Sequence, residues 1–396
     1  MKKVLIVMTT LYNGGAERSL VNFLKELPIN KYEVDLLLFK QKGIFLEQVP
    51  SWINIIDTPD NLRKLYSPLN KSGSVSVVKL FANIICRILT KNDRIMRYYR
   101  WKYFYSKIVP ELGKQYDVAL SYVSGEVMYY TTEKVNALRK YVWIHNDYRM
   151  AKHPKIQDTK YFDEMDGIIT ISDKCSEVLK EEFPQFAKKI RVIENITSSK
   201  SIYEKADEFV PNEYKGINNV ILSIGRLSYQ KGFDMALEAI KIMKDKGVDD
   251  FRWYIIGDGE LKSQLDSIVE KFGIEEYVRF LGTRNNPYPY IKWCTVFVQP
   301  SRFEGKSVVL DEAKILCKPI ISTDYQTVYD QISNNDTGII CQSSPEDIAD
   351  NIINVIGNVQ LRDKLSNSLK MKSFSNENEI MKYMEILEGD GKYIKA

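Results

Sequence analysis

The apolar positions of this 396-residue chain fall into two series of short runs. Val4–Met8, Glu33–Phe39, Ile53–Ile56, Asp117–Tyr122, Tyr141–Ile144, Gly167–Ser172 and Arg191–Ile193 form the first series. Val220–Ile224, Trp253–Ile256, Val278–Leu281, Thr295–Gln299, Pro319–Ser322 and Gly338–Cys341 form the second. Runs rich in β-branched and aromatic residues, with little polar alternation, predict strands buried on both faces, as in parallel sheets. Helical spacing intervenes between several of them; Leu20, Phe23, Leu24 and Leu27, for example, share one face after the first run. Strand and helix in alternation predict βαβ units and an α/β fold.

A polar, unpatterned stretch, Glu194–Lys200, separates the two series and predicts a linker. The domains are accordingly 1–197 and 198–374. Ser373–Leu387 reads as a capped amphipathic helix, and the polar tail Glu388–Ala396 as frayed. One segment breaks the pattern. From Ser72 to Val109, Lys79, Arg87, Lys91, Arg94, Arg97, Arg100, Lys102 and Lys107 face a single acid, Asp93. Val77, Phe81, Ile84 and Ile88 recur at helical spacing, and Trp101 with its tyrosine neighbours crowds the second half. Basic and aromatic residues so interleaved suit an anionic membrane surface, with Trp101 at headgroup depth; a solvated helix pair also satisfies the charge run.

Composition narrows the class. With 44% hydrophobic and 27% charged residues the chain is of ordinary globular type. No run of about 18 apolar residues predicts a membrane span. Met1-Lys-Lys-Val-Leu-Ile-Val-Met8 is too short for a signal peptide, which predicts a cytoplasmic protein. A formal net charge of +4 does not argue for nucleic acid. The five cysteines are widely spaced and read as reduced, buried hydrophobes. They form no C-x-x-C pair, and His145 and His153 are the only histidines, so no metal site is expected. His153 reads as surface.

The candidate chemistry concentrates in Pro300-Ser-Arg-Phe-Glu-Gly-Lys-Ser-Val-Val-Leu-Asp-Glu312. Gly305 punctuates a loop, and Ser307 stands where it can cap a helix reaching about Leu316. Glu304 falls in the loop. Glu312 shares a helix face with Val308 and Leu316, where a carboxylate is costly to bury without a partner. A structural ion pair at Glu312 with a solvated Glu304 satisfies this spacing. A ligand site does too, because the helix N-terminus beside Glu304 offers unbonded N–H groups and a positive dipole end, which suit phosphate. Gly225-Arg-Leu-Ser-Tyr-Gln-Lys-Gly232 puts Arg226 and Lys231 on one loop at a strand's C-terminal end. A guanidinium and an ammonium there can grip phosphate oxygens, although two basic loop residues also suit a plain surface. His145-Asn-Asp147 ends another strand, where α/β proteins bind ligands. Gly14-Gly15 follows the first strand without completing G-x-G-x-x-G, so a plain βα turn competes with a nucleotide site.

Ser301-Arg-Phe-Glu-Gly-Lys-Ser-Val-Val-Leu-Asp-Glu-Ala313, followed by Lys318-Pro-Ile-Ile-Ser-Thr-Asp324, resembles the E-x7-E signature of family-4 (group 1) retaining glycosyltransferases of GT-B fold. The spelling is similar to that of bacterial capsular and exopolysaccharide enzymes. Gly-Arg-Leu-x4-Lys-Gly-Phe-Asp from Gly225, and Trp-Ile-His-Asn-Asp around His145, resemble the same family. The resemblance implies two Rossmann-like domains facing across a cleft, with a C-terminal helix over 375–390 packing back on the N-terminal domain. It implies a nucleotide diphosphate sugar as donor, a UDP-sugar by family frequency, and transfer of a hexose or N-acetylhexosamine with retention of configuration. Arg226 and Lys231 would hold the diphosphate, completed by Gly305, Lys306, Ser307 and Val308 at the helix N-terminus. Glu304 would contact the sugar hydroxyls, Glu312 the ribose, and His145 the sugar from the N-terminal domain. Gly15 would lie near the donor phosphate and the acceptor. No D-x-D occurs, so no metal clamp and no cofactor are implied. Lys306 replaces an apolar residue common in the family, which bears on the sugar pocket. Asn195-Ile196 departs from the family's Asn-Gly or Asn-Pro hinge. The implied acceptor is a glycan, lipid-linked, met at the inner face of the membrane through 72–109. A GT-B sugar-nucleotide epimerase and a non-catalytic partner subunit of a glycosyltransferase pair remain as alternatives. A nicotinamide-dependent dehydrogenase lacks its glycine motif.

Overall fold

The strands lie where the apolar runs are. In the computed structural model, which describes residues 1–12 and 14–389, they are β1 (Lys2–Met8), β2 (Tyr32–Leu38), β3 (Asn54–Ile56), β4 (Leu112–Ser121), β5 (Val135–Ile144), β6 (Gly167–Thr170) and β7 (Ile190–Val192). The second series gives β8 (Val220–Ile224), β9 (Arg252–Ile256), β10 (Val278–Gly282), β11 (Val296–Gln299), β12 (Ile320–Thr323) and β13 (Ile339–Cys341). They pair into two sheets, ordered β3-β2-β1-β4-β5-β6-β7 and β10-β9-β8-β11-β12-β13. The strand pairings are parallel. In each sheet the order turns back once, at β1/β4 and at β8/β11. Loops leaving the C-terminal ends of two such strands diverge, and the crevice between them is where open α/β sheets bind ligands.

The chain divides into two compact units. Among the described residues, one takes Met1–Tyr12, Ala16–Asn195 and 378–389; the other takes Ile196–Glu377. Glu194–Lys200 is less solvated than its polarity suggests, since Asn195, Ile196 and Thr197 are buried. Asn195 Oδ1 accepts from Ser19 Oγ at 2.6 Å, and Thr197 N–H donates to Asn376 Oδ1 at 2.8 Å. The last helix spans Ile380–Glu388, later than the amphipathic pattern suggests, after a short 3₁₀ turn at Glu377–Glu379. Its Tyr383 ring stacks on Phe23 and Trp143, and the Tyr383 hydroxyl donates to Glu194 O at 3.2 Å. Most of the predicted frayed tail lies outside the described residues. The five cysteines are free, and four of them are buried.

The 72–109 segment differs most from expectation. It forms a helix over Val75–Leu89 and another over Asp93–Arg100, which continues as a π-helical turn through Trp101–Tyr105. Within that turn Trp101 and Tyr105 are buried while Tyr103 stays exposed. Trp101 is fully buried among Tyr130 and its neighbours, so it cannot sit at a headgroup layer. Lys79 is also buried, its ammonium donating to Ser67 O and Ser72 Oγ. The apolar face of the Val75–Leu89 helix instead points outward, with Val77, Leu80, Phe81, Ile84 and Ile88 exposed. His153 is not a surface residue either. Its ring stacks on Tyr148 and touches Arg94, and burial pushes its pKa down to about 3, with the Arg94 charge adding to this.

Candidate active site

Loops Gly225–Lys231 and Pro300–Ser307 leave β8 and β11 side by side, at the reversal of the second sheet. They are fastened to one another along their backbones. Arg302 N–H donates to Gln230 O at 2.8 Å. The Arg302 guanidinium forks onto both Asp234 oxygens at 2.8 and 2.6 Å, donates to Tyr229 O, and lies over the Tyr229 ring. Gly232, at φ +64°, approaches so closely that a Cβ would stand 2.0 Å from the Pro300 carbonyl oxygen. Only glycine fits both that dihedral and that gap.

This fastening brings Lys231 to Glu304. Their Nζ–Oε1 separation is 2.6 Å. Ser301 Oγ donates to the same oxygen at 2.7 Å, and Gln230 Nε2 donates to Oε2 at 3.0 Å. Glu304 is only 7% exposed, so the solvated alternative fails. A buried pair of this kind adds little net stability, but it fixes both charges in position. Arg226 stands exposed on the same loop. That loop is seated by Gly257–Gly259 after β9. Gly257, at φ +147°, would put a Cβ 1.8 Å from Gly225 O, and Leu227 N–H donates to Asp258 O at 3.1 Å.

The helix after the loop spans Val308–Ile315. Ser307 occupies its N-cap position but makes no side-chain cap bond, which corrects the capping expectation. Its hydroxyl donates to Gln299 Oε1 and its N–H to Gln331 Oε1, both at 2.7 Å. The amides of Val308, Val309 and Leu310 therefore begin the helix without an intrahelical acceptor. Buried Gly305 and half-buried Lys306 lie immediately before them. Glu312 is fully buried, with the Tyr288 hydroxyl donating to its Oε1 at 3.2 Å.

A second set of polar residues braces this helix, and sequence reasoning misses it because Gln331, which completes it, is distant in the chain. Gln331 Nε2 donates to Ser307 O at 2.8 Å and to Asp311 Oδ1 at 3.1 Å. Lys314 Nζ lies 2.7 Å from Asp311 Oδ1 and 3.1 Å from Gln331 O. Burial pushes the Asp311 carboxyl up, but the Lys314 and Lys306 charges and the hydrogen bonds hold it below its ordinary range. Its stabilising contribution is therefore present above the ordinary carboxylate pKa and is lost as pH falls through the depressed folded value. Lys314→Met should strand a buried carboxylate and lower unfolding free energy by about 3–5 kcal/mol in urea titrations at neutral pH. An unchanged midpoint would show that Asp311 does not depend on Lys314.

His145 immediately follows β5 in the first sheet. Its Nε2 lies 2.9 Å from Tyr122 O, which fixes the proton on that nitrogen, and Nδ1 has no hydrogen-bond partner. Burial pushes its pKa down to about 4, against the Tyr122 bond, so the ring is neutral at physiological pH. A neutral imidazole with an unused lone pair can accept a hydrogen bond from a hydroxyl. Gly15 opens the Gly15–Glu26 helix after β1, with nothing within 4 Å of the space a Cβ would fill. The structure thus gathers Arg226, Lys231, Glu304, Gly305–Val308 and Glu312 at one strand reversal of the second unit. His145 belongs to the first.

The model of the family "Glycosyl transferases group 1" matches residues 204–372, the segment that carries this cluster. An uncharacterized glycosyltransferase of Methanocaldococcus jannaschii is 28% identical over 205 residues, covering 49% of this chain and 50% of the relative. The chain thus spans only half of that relative's length. The N-acetylgalactosamine-N,N'-diacetylbacillosaminyl-diphospho-undecaprenol 4-alpha-N-acetylgalactosaminyltransferase of Campylobacter jejuni is 26% identical over 327 residues, 83% of this chain and 82% of the relative. Among solved structures, Anabaena HepE in complex with UDP and glucose superposes with a TM-score of 0.71 at 14% identity, covering 98% of this chain and all of that one. The two parallel-sheet units are those of the GT-B glycosyltransferases. Residues 204–372 are thus similar to the group 1 glycosyltransferases, and the chain as a whole shares the fold of the glycosyltransferase structures above.

Proposed function

We propose that the chain transfers a hexose or N-acetylhexosamine from a nucleotide diphosphate sugar, first a UDP-sugar, to a hydroxyl of a lipid-linked glycan. One observation carries this reading: Lys231 and Glu304 are held 2.6 Å apart beside an open helix N-terminus, at the strand reversal where α/β sheets take ligands. Cleaving the donor's glycosidic bond leaves additional negative charge on the diphosphate, while the sugar becomes oxocarbenium-like. Arg226, Lys231 and the first amides of the Val308–Ile315 helix offset the first, the Ser307 N–H being given to Gln331. Glu304, whose carboxylate the pair orients, receives the sugar hydroxyls. Glu312, with one oxygen on Tyr288, receives the ribose. His145 supplies a neutral acceptor to the sugar. The fixed cations replace a metal, so added EDTA is expected to leave turnover unchanged. Retention of configuration follows from the family resemblance.

Incubation with a panel of nucleotide sugars tests this. Released nucleotide diphosphate, with the anomeric configuration of the product read by proton NMR, supports a retaining transferase. Epimerised donor supports the epimerase, and no turnover of any donor supports a binding subunit.

The lipid-linked part of the reading rests on the outward apolar face of the Val75–Leu89 helix, flanked by exposed Arg87 and Lys91. Such a face lies in a membrane interface with its basic flank toward anionic headgroups. It supports action at the inner face of the cell membrane. The Ile84→Glu, Ile88→Glu double variant should lose co-sedimentation with phosphatidylglycerol vesicles. Retained binding would remove this helix from the interface.

A further inference from the structure

The first sheet has its own strand reversal, and a cavity of about 310 Å³ lies there. Thr9, immediately after β1, and Ser124 and Gly125, beyond β4, line it. Arg94, Arg97 and Arg100 line it as well. These are the residues that a reading from sequence assigns to a flat membrane contact. Their spacing at i, i+3 and i+6 puts them along one side of the Asp93–Arg100 helix, the outer two about 9 Å apart along the axis. Gly125, at φ +78°, stands at the N-cap of the Glu126–Lys134 helix and leaves its first amides without a side-chain cap.

Each guanidinium is poised rather than used up. Arg94 is held against His153, with Nη1 3.2 Å from Nδ1. Arg100 donates Nη1 to Asn83 Oδ1 at 2.9 Å, while its buried Nε has no hydrogen-bond partner. Arg97 is exposed and makes no side-chain hydrogen bond or ion pair among the described residues. Among the described residues the only carboxylate lining the cavity, Glu126, stands 4.0 Å from Arg100. Three positive charges, two of them held by hydrogen bonds, therefore meet one lining carboxylate in a concave site, with buried Asp158 near Arg94. The Arg100–Asn83 bond also ties this helix to Val75–Leu89, whose outward face is apolar.

We propose that Arg94, Arg97, Arg100 and the open N-terminus of the Glu126–Lys134 helix form a subsite for the diphosphate of a lipid-linked acceptor. A diphosphate matches the row better than a single phosphate, because the row is longer than one phosphoryl group. A lipid chain on that diphosphate would continue along the exposed apolar helix. This deepens the glycosyl-transfer reading above and rests on it for the identity of the lipid.

The test titrates the full chain with inorganic pyrophosphate at low salt, without nucleotide sugar, by calorimetry. Arg97→Ala should weaken binding at least tenfold, and Arg97→Lys should restore part of it. Arg97 has no protein partner to lose, and an unchanged melting temperature in both variants checks that they fold. Pyrophosphate binding that ignores Arg97→Ala but is lost in Lys231→Ala would place the anion at the donor clamp and overturn the subsite. In a second arm, neutral phosphatidylcholine vesicles carry a polyprenyl diphosphate, and separate vesicles carry phosphatidylglycerol. Selective loss of the first binding in Arg97→Ala supports an acceptor subsite. Equal loss of both would make it a general headgroup site and overturn the acceptor assignment. Failure of the nucleotide-sugar panel would not alter the pyrophosphate result, so the two readings fail separately.

Discussion

Lys231→Ala should lower kcat/KM for the nucleotide sugar by about 10- to 150-fold, the range for a lost charged hydrogen bond of roughly 1.5–3 kcal/mol. It should also lower the melting temperature. Lys231 is the 2.6 Å partner of a buried carboxylate and, on the proposed reading, also a cation for the donor diphosphate. Without it, Glu304 keeps Ser301 and Gln230 but loses its counter-charge. Arg226→Ala provides the contrast. Arg226 is exposed, so its loss should weaken donor use over the same range with little change in melting temperature. Steady-state kinetics and thermal unfolding of both variants check this. Unchanged kinetics in both would remove the diphosphate clamp from the account.

Gly232→Ala should be among the most destabilising single-methyl additions in the second unit. The left-handed dihedral alone costs a non-glycine residue about 1–2 kcal/mol. Here the added carbon would also stand 2.0 Å from the Pro300 carbonyl oxygen, so the two loops must separate. Gly247→Ala isolates the first effect, because Gly247 has φ +75° and nothing within 4 Å. Urea unfolding should show Gly247→Ala losing only the dihedral cost and Gly232→Ala losing clearly more. Gly232→Ala should also lose donor turnover, since separation of the loops parts Lys231 from Glu304. Equal losses in the two variants would show that the loops are not rigidly joined.

The strands were legible because buried parallel strands are written as nearly unbroken apolar runs, so Val4–Met8 or Val220–Ile224 needs no partner to be recognised. The carboxylates, the Arg226–Lys231 loop and His145 were singled out through motif spelling, and the structure gathers the carboxylates and that loop at one strand reversal. What the residues alone left open was whether Glu304 is solvated, and its burial depends on Lys231, Gln230 and Ser301 meeting across two loops. The Gln331–Asp311–Lys314 brace was illegible for the same reason, because Gln331 lies far along the chain from the helix it holds. Trp101 and His153 were misread for another reason. A basic, aromatic stretch does not reveal which of its faces is turned inward, as at Trp101, and His153 lies outside that stretch, covered by Tyr148 and by the distant Arg94.

The most direct test of the central claim is calorimetric binding of UDP in EDTA to the wild type, Arg226→Ala and Glu312→Gln. The account expects metal-free binding by the wild type, weakened tenfold or more when Arg226 is removed, and a smaller loss at the ribose contact. Absence of UDP binding, or equal affinity in all three proteins, would contradict it.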